Sequence, residues 1–219
     1  MLRRSLLPLL TALVVLSGCR STVQDAYFDT LERLGKDKRE LLGQRVEAAR
    51  DSQEEAKEEF RDALEQFQAL TGYDGGDLQD TYERLDGAYQ RSQDRAEEVS
   101  DRVQNVDDVA QALFREWEEE LEQYSDAGLR RRSESQLRDA RSRYGELFRA
   151  MQRAEGSMEP VLSVLGDQVL YLKHNLNARA VAALDQEVAR LETDVAALIR
   201  DMERSIDEAN AFIREMDLG

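Results

Sequence analysis

One cysteine, Cys19, and one histidine, His174, limit what side-chain chemistry this chain can do. A di-iron site in a helical bundle needs Glu-x-x-His pairs projecting inward, yet the residue three before His174 is Tyr171. A lone histidine and a lone cysteine also exclude the usual zinc ligand sets. No serine or cysteine nucleophile has an evident general base. Asp74-Gly75-Gly76-Asp77 is glycine-rich but lacks the lysine and the preceding strand of a phosphate-binding loop. As a bare acidic turn it is at most a weak calcium site. His174, beside Asn175 and Asn177, is expected to satisfy backbone groups where a helix reverses. The expectation is a protein that is not an enzyme, with no cofactor, no metal and no small-molecule substrate.

Cys19 has a different context. Arg3 and Arg4 form a basic n-region, and an apolar run over 6–16 follows that is too short for an ordinary membrane span. The run ends in Leu16-Ser17-Gly18-Cys19, which looks like a bacterial lipobox. In such precursors the signal is cut before the cysteine, which becomes the lipidated N-terminus. One acyl chain alone binds a membrane marginally, with a constant on the order of 10⁴ M⁻¹. The diacylglycerol and further acyl chain that the resemblance implies would anchor the protein stably. Arg20, rather than aspartate, follows Cys19, which in such lipoproteins favours the outer membrane, with the chain facing the periplasm. The expected organisation is a signal peptide over 1–18, a lipidated tether over 19–26 and a helical coiled-coil domain over 27–219.

The formal net charge is −16, and removing 1–18 takes away two of the 30 basic residues and none of the 46 acidic ones, leaving −18. Such a surface keeps a protein soluble and repels nucleic acid and anionic lipid. With Cys19 consumed by lipid, no disulfide and no thiol chemistry remain. A chain this charged could be disordered, but its apolar residues are periodic.

Tyr27, Phe28, Leu31 and Leu34 suggest a first short helical stretch, and Asp37-Lys38-Arg39-Glu40 reads as a capping box. A seam then runs Leu42, Val46, Ala49, Gln53, Ala56, Phe60, Ala63, Phe67, Leu70, alternating four and three, the coiled-coil period. Gly72 suits a left-handed helix cap. Helix two, capped by Asp77, carries Leu78, Tyr82, Leu85, Tyr89, Ser92, Ala96, Val99, Val103, Val106, Ala110, Leu113 and Trp117, and should end near Tyr124. After a break at 125–128, helix three runs from Leu137 through Tyr144, Met151 and Met158 to Leu172, with a kink near Pro160. Asn177 should cap helix four, whose seam runs from Val181 to Met216. Within helix three, the stretch 158–178 is apolar on several faces and should sit centrally. Short links force neighbours antiparallel. The fold class expected is all-α: an elongated antiparallel four-helix coiled-coil bundle with a kinked third helix.

Charge tests the order of the helices. Residues 100–125 hold eight acidic and two basic residues, and 129–153 hold eight arginines against Glu134, Asp139 and Glu146. These halves complement each other only in a hairpin. Arg130, Arg131 and Arg132 then lie at the end nearest Cys19 and Arg20, where they either touch anionic headgroups, at about 1 kcal/mol per charge, or pair with Glu118, Glu119, Glu120 and Glu122. Gln53, Ser92, Gln168 and Asn175 interrupt the seams, as polar residues that fix register do.

Four blocks carry a resemblance: Arg50-Asp51-Ser52-Gln53-Glu54-Glu55-Ala56-Lys57, Asp74-Gly75-Gly76-Asp77-Leu78, Met158-Glu159-Pro160-Val161-Leu162, and the run from Asp167-Gln168-Val169-Leu170-Tyr171-Leu172 through Lys173-His174-Asn175-Leu176-Asn177-Ala178. Together they resemble a family of bacterial lipoproteins known as domain of unknown function 2959. The likeness covers essentially the whole mature chain and implies an all-helical envelope lipoprotein, with no catalytic residues to carry over. The function expected is that of a non-enzymatic scaffold or adaptor in the cell envelope, binding the membrane through its N-terminal lipid and recognising an envelope protein, or itself, by helix faces. The alternative is a membrane-shaping, BAR-like helical module that binds anionic lipid through the arginine-rich segment, against which the net charge counts. A holdase would need an exposed apolar groove, which the tight seams disfavour.

Overall fold

The computed structural model describes the backbone of residues 37–73, 75 and 77–217, and these form helices and no strand. The signal peptide, the tether with Cys19 and Arg20, the short stretch expected over 27–34, and Asp74 and Gly76 lie outside the described residues. The helices are α1 (Lys38–Thr71), α2 (Leu78–Leu121), α3 (Ala127–Gly156), α4 (Met158–His174), α5 (Ala178–Ala182) and α6 (Asp185–Asp217).

Every residue of the α1 seam expected from the four-three spacing is buried, from Leu42 to Leu70. The helix stops at Thr71, whose hydroxyl donates to the carbonyls of Phe67 and Gln68, both at 3.1 Å. Gly72 does not adopt the left-handed cap expected of it. Its N–H reaches the Gln68 carbonyl at 2.8 Å, continuing the helical pattern, and the positive φ falls instead on Gly75, at 141°. That conformation costs glycine little and strains any other side chain.

Asp77 opens α2 by accepting hydrogen bonds from the Gln79 and Asp80 N–H groups at 2.9 and 3.3 Å. The seam of α2 agrees with expectation at Leu85, Ser92, Val99, Val103, Val106 and Ala110. At three other positions it is shifted by one residue, and Leu78, Ala96 and Trp117 are only half-buried. Thr81 and Ala88 are buried where Tyr82 and Tyr89 were expected, and Phe114 rather than Leu113. The tyrosines stay half-buried because their hydroxyls need water or a partner, which leaves the inward positions to small side chains. The helix ends at Leu121, three residues before Tyr124. Asp126 then caps α3, accepting from the Gly128 and Leu129 N–H groups at 2.7 and 2.8 Å, so α3 begins inside the stretch expected to be a break.

The third segment is divided at Ser157, ahead of Pro160. The Ser157 backbone stays right-handed (φ −80°, ψ −12°), and its N–H reaches the carbonyls of Arg153 and Ala154 at 3.0 and 3.3 Å. Register therefore carries through: Met151, Ala154, Met158, Val161 and Leu165 are all buried. Pro160 lies exposed in the first turn of α4, where a missing N–H costs least. The central position expected of this segment is not found. Helix α4 buries Val161, Leu162, Leu165, Val169 and Leu172 against its neighbours, but Leu170 is 59% and Tyr171 43% exposed. Its apolar residues outnumber the positions that face other helices.

The fourth segment is likewise divided. Asn177 caps only the short α5, accepting from the Arg179 and Ala180 N–H groups, both at 3.1 Å. The chain then tightens: the N–H groups of Ala183, Leu184 and Glu187 each bond three residues back. This turn keeps Val181 and Leu184 both buried before α6 begins.

Cross-helix bonds fix the directions. Arg91 meets Glu59 (2.9 Å) and Arg95 meets Glu55 (2.8 Å), so α1 and α2 run antiparallel. Ser100 donates to Glu155 at 2.6 Å while Trp117 Nε1 donates to Ser133 at 2.8 Å, so α2 and α3 do too. Helix α6 runs antiparallel to α3 through Arg143–Glu215 (2.6 Å) and Ser157–Asp201 (2.9 Å). It also runs antiparallel to α1 through Arg50–Asn210 (3.2 Å) and Gln68–Glu192 (2.6 Å). The exposed ion pairs among these, Arg91–Glu59, Arg95–Glu55 and Arg143–Glu215, contribute little stability singly, about 0–1 kcal/mol. Their value lies in selecting one register among several.

Candidate functional site

The arginine cluster stands on the first turns of α3, directly after the α2–α3 turn. Arg130 is occupied: its guanidinium reaches Glu122 at 2.6 Å and Glu134 at 3.1 Å. Glu118 is taken by Arg141, which holds the Glu118 carboxyl below its ordinary range, chiefly through their hydrogen bond. Arg131 and Arg132 are exposed and make no ion pair among the described residues. The intra-hairpin pairing expected of the cluster therefore holds for Arg130, with Glu122 as partner, and not for its two neighbours.

The same turn carries an apolar pair that the seam pattern did not indicate. Tyr124 is 42% and Leu129 51% exposed, on either side of the Asp126 cap. The signal in the sequence is slight: two large apolar residues with no seam position, separated by a capping aspartate. Lys38, the first residue of α1, pairs with Glu116 at 3.2 Å, and Glu215 near the end of α6 meets Arg143. The beginning of α1, the α2–α3 turn and the end of α6 thus lie at one end of the helical unit. Leu170 and Tyr171 stand towards the other end, since Gly166 of α4 packs against Tyr89 in the first half of α2.

Between these ends, α2 and α3 are joined by a partly polar aromatic cluster. The buried Tyr144 hydroxyl donates to Asp107 Oδ1 at 2.6 Å. Burial first, then that hydrogen bond and the neighbouring Asp108 charge, push the Tyr144 hydroxyl well above its ordinary value. Phe114 meets the Tyr144 ring edge-on at 5.5 Å, Phe148 stacks on it at 5.6 Å, and the Arg141 guanidinium lies 5.3 Å from the Phe114 centroid. This hydrogen bond ties α3 to α2 through a buried phenol.

Among the described residues, two interior polar side chains are left without partners. Gln53 is fully buried, and neither its amide oxygen nor its nitrogen is hydrogen-bonded; the buried Ser205 Oγ likewise has no partner. Ser92, also expected to interrupt a seam, is satisfied by the carbonyls of Ala88 (3.0 Å) and Glu59 (3.2 Å). Gln168 is half-buried and Asn175 exposed.

The role expected of His174 falls to its neighbours. The Asn175 amide donates to the Tyr171 carbonyl at 3.0 Å and Asn177 both caps α5 and donates to the Asn175 carbonyl at 3.1 Å, while His174 is exposed. Among the described residues, no group of three or more His, Cys, Asp or Glu side chains could hold a metal ion. No described helix is long and apolar enough to cross a membrane.

No curated protein and no solved structure matches the chain. The family model described as "Protein of unknown function (DUF2959)" matches residues 27–216, which takes in α1 to α5 and all but the last residue of α6, and the chain belongs to that family.

Proposed function

We propose that this protein is a lipoprotein, anchored by lipid on Cys19 in the outer membrane and facing the periplasm, that acts as a non-enzymatic scaffold or adaptor in the cell envelope. The observation that carries the anchor is Leu16-Ser17-Gly18-Cys19 standing directly after a basic n-region and a short apolar run. The scaffold is an antiparallel four-helix coiled-coil bundle: α1, α2, the α3–α4 pair kinked at Ser157, and the α5–α6 pair. Four antiparallel contacts, from α1 to α2, α2 to α3, α3 to α6 and α6 back to α1, support a closed bundle. Its partner is an envelope protein or a second copy, recognised through helix faces. A bundle whose side chains are largely engaged in helix packing and surface ion pairs suits display and docking.

Fractionating a two-membrane bacterium that expresses the full chain tests the anchor. The wild type should sediment with outer membranes and resist high-salt washing, whereas Cys19→Ser should not be carried to that fraction. A Cys19→Ser chain that remains salt-resistant in the outer membrane would overturn the reading.

A further inference from the structure

The end of the helical unit at which α1 begins presents two exposed large apolar side chains, Tyr124 and Leu129, and two exposed arginines without ion pairs among the described residues, Arg131 and Arg132. All four belong to the α2–α3 turn or the start of α3. Large apolar residues left half-exposed on a helical tip suit the membrane–water boundary, where tyrosine rings seat at headgroup level, leucine side chains reach the acyl boundary and arginines meet phosphates. We propose that this turn is a membrane-contact site: Tyr124 and Leu129 enter the headgroup region of an anionic phospholipid surface, and Arg131 and Arg132 bind its phosphates.

Three observations select a bilayer over another occupant. Charge is the first: in a chain of net charge −16, Arg131 and Arg132 stand exposed at this tip with no ion pair among the described residues, while Arg130 is engaged by Glu122 and Glu134 and the Asp126 carboxylate is turned onto the Gly128 and Leu129 N–H groups. Position is the second. Lys38 pairs with Glu116, so α1 starts at this end, and the linker from Cys19 to Lys38 spans at most roughly 65 Å. A lipid on Cys19 keeps the turn within that distance of the bilayer. The third is the shape of the acidic surround. Glu119 and Glu120 are exposed on the last turn of α2, and their repulsion by anionic lipid restricts contact to the turn itself and prevents α2 from lying flat. Leu170 and Tyr171, towards the other end, are flanked by Asp167 and by one exposed lysine, Lys173, rather than an arginine pair, and serve as the internal control.

The inference rests on the lipid anchor, and the test separates the two. The full-length lipidated chain is prepared with Trp117→Phe, which removes its one tryptophan, and a reporter is added as Leu129→Trp, as Tyr124→Trp or, for the control, as Leu170→Trp. Each is reconstituted into vesicles of phosphatidylglycerol and bromine-labelled phosphatidylcholine, floated, and read by tryptophan emission. Expected is loss of emission for both tip reporters and none for Leu170→Trp, with the tip quenching weakened by Arg131→Gln and Arg132→Gln together. Protein that floats with its tip reporters unquenched, or with all three reporters quenched alike, overturns the contact and leaves the anchor intact. Protein that does not float overturns the anchor and the contact with it.

Discussion

Replacing Gln53 by leucine should stabilise the fold, against the usual direction of core substitutions. Gln53 is fully buried in the α1 seam, between Ala49 and Ala56, and both polar atoms of its amide lack a hydrogen-bond partner. Leaving a buried polar atom unpaired costs about 1–3 kcal/mol. Taking the low end for each of the two atoms gives a gain of about 2 kcal/mol for Gln53→Leu, since leucine is close to glutamine in bulk and has nothing to desolvate. For a unit of this size that corresponds to a rise in Tm of roughly 4–8 °C. Urea unfolding followed by far-UV circular dichroism and by Trp117 fluorescence would show it as a higher midpoint at unchanged slope. The natural glutamine then has another role, because polar residues at seam positions fix register and partner number at a cost in stability. The leucine variant should accordingly give a broader distribution of species in light scattering than the single species expected of wild type. A Gln53→Leu chain less stable than wild type by more than about 1 kcal/mol would refute the reasoning, because it would mean the amide is satisfied in the folded protein.

Three further changes probe other parts of the fold. Gly166→Ala places a Cβ 2.6 Å from the Tyr89 hydroxyl oxygen and 3.1 Å from Cζ. Overpacking of about 1–3 kcal/mol should exceed the helix-propensity gain of about 1 kcal/mol, and Tyr89→Phe in the same chain should recover part of the loss in denaturation midpoint. Tyr144→Phe removes a hydrogen bond to the Asp107 carboxylate and should cost about 1.5–3 kcal/mol near neutral pH. Because burial and Asp107 raise the folded-state value of Tyr144 above the ordinary 10.0, its contribution is complete below pH 10 and declines as pH rises beyond that. The wild type should therefore lose stability above pH 10 more steeply than Tyr144→Phe, as read by midpoints across an alkaline series. Asp126→Ala removes the acceptor for two N–H groups of α3 and should cost about 1 kcal/mol, while Asp126→Asn should retain most of it; thermal melts compare the two.

How far the sequence disclosed the fold depended on which residues competed for each inward position. In α1 nothing competed: alanines and phenylalanines alternate four and three among charged residues, and each proved buried. In α2 the large tyrosines at 82 and 89 marked the seam in the pattern, but the smaller Thr81 and Ala88 fill it. Size signals hydrophobicity, whereas a close helix–helix approach selects small side chains. The run over 158–178 misled in the same way, since apolar count does not tell how many sides a helix has covered. The hairpin of α2 and α3 was legible because opposite charge was segregated into facing halves, which Arg141–Glu118 and Arg130–Glu122 realise. The phenol of Tyr144 on Asp107 was not, because the partners stand 37 positions apart and meet only in one register of two long helices. Likewise Arg131 and Arg132 could be picked out as a cluster, but the pairing of Arg130 and the exposure of Tyr124 and Leu129 needed the folded turn.

The lipid on Cys19 is the central claim, and intact mass spectrometry of the protein extracted from its own membrane addresses it most directly. The expected result is a mature chain beginning at Cys19, heavier than its amino-acid sequence by a diacylglyceryl group and an amide-linked acyl chain, with both additions on the N-terminal fragment. A mature chain that begins elsewhere, or that begins at Cys19 with an unmodified thiol, would contradict it.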